Sequence, residues 1–106
     1  MDITDADVEA AMHKLADTDL EAAKAKAKAK AMEQYGKTVR ALQFLEATGT
    51  VAEREARALA SEHYRAYLKQ YEEAVMNSER LANERATAAG VREVWRSLQA
   101  NRRQGS

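Results

Sequence analysis

Residues 47–54, ATGTVAER, decide the shape of this chain. Gly49 can take the left-handed conformation that ends a helix. Thr50, followed three residues later by Glu53, is a capping box: hydroxyl and carboxylate satisfy the backbone N–H groups left free at a helix start. One helix therefore stops near residue 47 and another begins near residue 51. On both sides the 106-residue chain has no Pro, only four Gly, and an excess of Ala, Glu, Lys, Arg, Leu and Gln. That is the composition of long helices and coiled coils. Two long helices joined by a tight turn lie antiparallel. The sequence thus predicts an all-α fold, a long antiparallel helical hairpin of coiled-coil type with a short N-terminal helix before it.

Two further capping boxes stand upstream, Thr4 with Asp7 and Thr18 with Glu21. The second predicts a kink or brief turn near Asp17 to Asp19. The resulting organisation is an acidic N-terminal helical segment over residues 1–17, a hairpin over 18–103 with its turn at 47–50, and a tail at 104–106. The second long helix is predicted to run from about residue 51 to 102. Gly90 interrupts it, which predicts a kink or a close helix contact.

Residues 23–35, AKAKAKAKAMEQY, alternate as a strand would. Ala and Lys are strong helix formers and poor strand formers, so helix wins. At 100° per residue, Lys24 and Lys28 fall on one flank, with Lys26 and Lys30 nearly opposite. Two apolar seams lie between: Ala22, Ala25, Ala29, Met32, Gly36 and Val39, and Leu20, Ala23, Ala27 and Ala31. With the turn centred on Gly49, residues equidistant from it face each other. Tyr67 then meets Ala31, Tyr71 meets Ala27 and Val75 meets Ala23, large against small as close packing demands. By the same rule Leu42, Phe44 and Leu45 meet Val51, Ala56 and Leu59. Val91, Val94, Trp95 and Leu98 face Ile3, Val8, Met12 and Leu15. The seam left over predicts a homo-oligomer, because a two-helix hairpin cannot enclose a core.

Net charge is zero but unevenly spread. Residues 1–20 carry six acids (Asp2, Asp5, Asp7, Glu9, Asp17, Asp19) against Lys14; residues 21–40 carry six bases and two acids; residues 81–106 carry five Arg and two Glu. The acidic start predicts contact with Arg85, Arg92 and Arg96. No stretch of about 18 apolar residues occurs, and an acidic start is unlike a signal peptide. A cytoplasmic protein away from membranes is predicted. The absence of Cys excludes disulfides, a thiol nucleophile and thiolate metal sites.

Little in the chain carries reaction chemistry. His13 and His63 would lie about 33 Å apart along the hairpin and lack the spacing of a helical zinc site. Glu72 and Glu73 splay about 100° apart, which is no acid–base pair. Ser61, Ser78 and Ser97 have no base partner. No catalytic, metal, cofactor or small-molecule site is predicted. Tyr64, Tyr67 and Tyr71 between Arg65 and Lys69 could stack on single-stranded nucleic acid, but their spacing suits a core stripe better. The candidates for phosphate contact are Lys24, Lys26, Lys28 and Lys30 on the first helix and Arg102 and Arg103 near the C-terminus.

Residues 44–61, FLEATGTVAEREARALAS, with residues 93–103, EVWRSLQANRR, resemble a group of small helical-hairpin proteins of tailed bacteriophages and prophages, often encoded among recombination and replication genes. The likeness spans about residues 20–103. It implies a bacterial host cytoplasm and an accessory, non-enzymatic role in phage DNA metabolism, exerted through a phage or host protein partner. Direct DNA binding through the Lys ladder and Arg-rich end is one alternative. Inhibition of a host enzyme by an acidic surface that mimics nucleic acid is another.

Overall fold

The structure, a computed structural model, describes residues 2–105. It is all-α: helices α1 (Asp5–Glu46), α2 (Val51–Ala60) and α3 (Glu62–Gln104), with no strand among the described residues. The chain divides into two compact units, Met1–Ala23 with Glu79–Ser106, and Lys24–Ser78.

Helix α1 opens on the predicted capping box. Thr4 N–H donates to Asp7 Oδ2 at 2.9 Å, and Asp7 N–H donates to Thr4 Oγ1 at 3.1 Å. The bond from the Thr4 backbone N–H, and after it one from the Thr4 side chain, hold the Asp7 carboxyl below its usual range. The turn expected at Asp17 to Asp19 is absent, and residues 1–17 are no separate helical segment. Thr18 instead donates its hydroxyl to Lys14 O, one turn back, at 2.6 Å. That bond satisfies the side chain without leaving the helix. Helix α1 therefore runs unbroken to Glu46.

The turn forms where predicted. Gly49 has φ 114°, and Thr50 caps α2 by accepting from Glu53 N–H at 3.2 Å. Two arginines of α2 then reach back to carbonyls of the last turn of α1 and of the connecting turn, where partial negative charge attracts cations. Arg54 Nε donates to Phe44 O at 3.2 Å with its guanidinium 4.2 Å above the Phe44 ring, and Arg57 donates to Thr48 O at 2.9 Å. The second helix is not continuous as expected. Ser61 donates Oγ–H to Ala58 O at 2.9 Å and accepts from Tyr64 N–H at 3.1 Å, so one serine closes α2 and starts α3.

The unit Lys24–Ser78 is a helical hairpin. Its seam on α1 is Ala25, Ala29, Met32, Gly36, Val39 and Gln43; on α3 it is Tyr64, Tyr67, Tyr71, Ala74 and Ser78. Both series step alternately by three and four residues, the spacing that keeps one stripe against a partner helix in a coiled coil. Tyr67 is buried, and its hydroxyl donates to Met32 O at 2.5 Å. Its ring occupies the notch at Gly36, where an ideal Cβ would fall 2.6 Å from Tyr67 Cζ. Neighbouring Tyr35, Tyr64 and Tyr71 rings lie 5.9 to 6.2 Å from it, centroid to centroid.

Tyr71 and Val75 are half-buried as α3 packing residues, but Ala23, Ala27 and Ala31 are exposed. The predicted partners are thus replaced by the other alanine seam. Only that seam has a glycine to admit the Tyr67 ring. Near the turn the buried residue is Ala58, at 1% exposure; Leu42, Leu45, Val51 and Leu59 face outward.

The other unit pairs the start of α1 with the second half of α3, antiparallel: Trp95 Nε1–H donates to Asp5 Oδ1 at 3.1 Å, and Arg85 to Leu15 O at 2.6 Å. The same alternating step recurs in Val8, Ala11, Leu15, Thr18 and Ala22 on α1, and in Leu81, Arg85, Ala88, Arg92 and Trp95 on α3. Leu81 is its most enclosed large side chain, at 2% exposure. Of the apolar residues expected there, Val8 is buried while Met12 and Val94 remain exposed. Gly90 leaves α3 unbroken, and among the described residues nothing outside its own helix turn lies within 4 Å of where a Cβ would stand, so the close helix contact is not formed.

Candidate interaction surface

Helical geometry places the four lysines of α1. Lys24 and Lys28 are about 40° apart around the axis and roughly 6 Å apart along it, and so are Lys26 and Lys30, on the far flank. All four are exposed. They form two short pairs on opposite flanks, so one phosphate backbone cannot follow all four along a single line. Carboxylates accompany the bases of this unit. Lys28 borders a groove of about 330 Å³ with Met32, Gln70 and Glu73; Lys37 and Arg40 border one of about 460 Å³ with Phe44, Glu55 and Leu59.

Arg102 and Arg103 lie in the last turn of α3, exposed, where positive charge complements the helix carbonyls. Each already has an interaction of its own. The lysine pairs belong to the unit Lys24–Ser78 and the two arginines to the other unit.

The tyrosines are a packing device. Tyr67 is buried with its hydroxyl committed, which leaves no open ring face at the centre of a stacking platform. Burial, followed by the neighbouring Tyr71, Tyr64 and Glu33, pushes the Tyr67 phenol above its usual range, while the Gly36 N–H opposes this.

The acidic start is partly occupied by structure. Asp5 accepts from Trp95, Asp7 caps α1, and Asp19 Oδ1 accepts from Arg85 Nη2 at 3.2 Å. Arg85 also donates to Thr18 Oγ1 at 3.0 Å, making a polar layer in the seam. Glu84 is 3.1 Å from Lys14 Nζ and 2.9 Å from Arg80 Nη1, and hydrogen bonds from Lys14 and then Arg80 hold its carboxyl below the usual range.

His13 is exposed with Nε2 3.7 Å from Glu9, and His63 lines a groove with Tyr35 and Leu42. Among the described residues no group of three or more His, Cys, Asp or Glu is placed to hold a metal ion. Among the described residues no helix is long and apolar enough to cross a membrane.

Large apolar side chains are left exposed on all three helices; in the unit Lys24–Ser78 they are Tyr35, Leu42 and Leu45 of α1, each more than half exposed, Val51 and Leu59 of α2, and Leu68 and Met76 of α3. Composition and spacing showed both alanine seams but not which of them is buried. No family model, curated protein or solved structure matches the chain.

Proposed function

We propose that the protein is a non-enzymatic helical interaction module that acts through a protein partner, phage or host, in DNA recombination or replication. The observation that carries the module reading is the set of large apolar side chains near the turn end of α1 that stay more than half exposed, Tyr35, Leu42 and Leu45. Contiguous exposed apolar surface edged by charge is the usual mark of a protein contact. The phage setting follows from the resemblance in residues 44–61 and 93–103. Affinity capture from infected host cells, with the wild type beside a Tyr35→Glu, Leu42→Glu variant, tests the face. A protein recovered by the wild type alone supports the proposal, and equal recovery by both removes this face from it.

Direct DNA binding is the second reading, favoured by the exposed lysine pairs. It predicts affinity for labelled DNA that falls steeply with salt, as counterion release requires, and that Lys24, Lys26, Lys28 and Lys30 replaced by Gln would abolish. The module reading predicts weak anisotropy changes that the same replacements leave unaltered.

A further inference from the structure

Between α1 and α2 lies a groove of about 460 Å³ whose charged walls its own chain does not use. Lys37, Arg40 and Phe44 line it from one face of α1, at i, i+3 and i+7; Glu55, Ala58 and Leu59 line it from one face of α2, at i, i+3 and i+4. All of it belongs to the unit Lys24–Ser78. Ala58 is its most enclosed residue, at 1% exposure, with Phe44 half-buried and Leu59 exposed. Lys37, Arg40 and Glu55 are exposed, and among the described residues none of the three forms an ion pair within the chain. Arg54 and Arg57 of α2, by contrast, are committed to Phe44 O and Thr48 O.

We propose that this groove holds an acidic segment of a partner protein that carries a large apolar side chain. The carboxylates of the segment meet Lys37 and Arg40, and its apolar side chain covers Ala58 between Phe44 and Leu59. The groove lies on nearly the opposite side of α1 from Tyr35 and Leu42, so it is a second surface beyond the one that carries the module reading.

The lining selects the occupant. Two cations against one carboxylate leave an excess of positive charge, which draws in acids, and a guanidinium takes a carboxylate in two parallel hydrogen bonds. The strip of Ala58, Phe44 and Leu59 between the charges rewards an apolar side chain that leaves water with them. Glu55 separates a polypeptide from a nucleic acid. Backbone N–H groups of a peptide can donate to its carboxylate, whereas a phosphate backbone offers acceptors alone and would be repelled by it. Stacking of a base is opposed as well, because Arg54 already lies over the Phe44 ring, the one aromatic ring of the lining.

Fluorescence anisotropy of the full chain against labelled peptides tests this. The probes set a Phe-Leu pair beside Asp residues, in the sequences DDFL, FLDD and DDFLDD; NNFLNN and DDSSDD control for charge and for apolar content. At least one acidic probe is expected to bind with Kd below about 1 mM, more weakly as salt rises. Both controls should bind about tenfold more weakly or worse. Lys37→Glu with Arg40→Glu should weaken the acidic probe by about tenfold or more, and should bind the reversed probe KKFLKK better than the wild type does. Circular dichroism establishes that the variant stays helical, and Lys37→Gln with Arg40→Gln takes its place if it does not. Failure of every acidic probe, equal binding of the controls, or binding that the Lys37 and Arg40 replacements leave unchanged overturns the proposal. A labelled thymidine oligonucleotide that binds where the peptides do not, and that the same replacements release, assigns the groove to phosphate and also overturns it. The Tyr35→Glu, Leu42→Glu variant should bind the acidic probes as the wild type does, so the groove and that other surface stand or fall separately.

Discussion

Replacing Gly36 with Ala adds one methyl group to the middle of α1, a change that in an open helix position stabilises by about 1 kcal/mol. Here the sign should reverse. The new Cβ would stand 2.6 Å from Tyr67 Cζ and 2.8 Å from Cε2, against an ordinary contact of 3.4 to 4 Å. The ring must retreat by about 1 Å, because tight packing leaves the added methyl no alternative space. Such overpacking typically costs about 1 to 3 kcal/mol. The retreat also breaks the bond from the Tyr67 hydroxyl to Met32 O, worth about 1 kcal/mol. Set against the helix gain, the net loss is about 1 to 3 kcal/mol. Urea denaturation followed by circular dichroism at 222 nm measures it. Two controls isolate the cause. Gly90→Ala, where among the described residues nothing outside its own helix turn lies within 4 Å of the new Cβ, should gain about 1 kcal/mol. With Tyr67→Ala already present, Gly36→Ala should also become stabilising, since the clashing ring is gone. If Gly36→Ala alone stabilises as much as Gly90→Ala, the Tyr67 ring does not occupy the Gly36 notch and the choice of seam is wrong.

Arg85→Leu removes the charged donor from Leu15 O, Thr18 and Asp19 and should destabilise by about 1.5 to 3 kcal/mol, whereas adding Thr18→Val makes the layer apolar and should recover most of the loss in the same urea assay. Tyr67 has its phenol raised in the folded state, so its contribution is complete below the unfolded value near about pH 10 and is lost as pH rises through the folded one. Stability of the wild type should therefore fall relative to Tyr67→Phe only above about pH 10, and equal slopes for the two would refute this. Glu84 works in the opposite direction: its carboxyl is lowered by Lys14 and Arg80, so its contribution is present above its unfolded value and lost as pH falls through the folded one. Glu84→Gln should flatten the acid limb of the stability profile, and an unchanged limb would show that the Lys14 contact is absent in solution.

The sequence by itself determined what depends on neighbours along the chain. Helix content follows from Ala, Lys, Glu and Arg propensities, and the turn follows from Gly49 and Thr50, whose side chain and backbone close their own hydrogen bonds. The same local logic failed at Thr18. There two bonding solutions compete, a new cap or a bond back to Lys14, and the buried seam with Arg85 selects the second. It failed again at Ser61, which ends one helix and starts another with no Gly or Pro to mark the place. The lysines were legible as exposed flanks because alternation on a helix puts them there. Which alanine seam is inside was decided only by tertiary structure. Both seams are equally small and apolar, and the difference is the depth of one notch at Gly36, which matters only once the Tyr67 ring has to fit into it. Burying one seam left the other in solvent, and that choice placed the candidate interaction face.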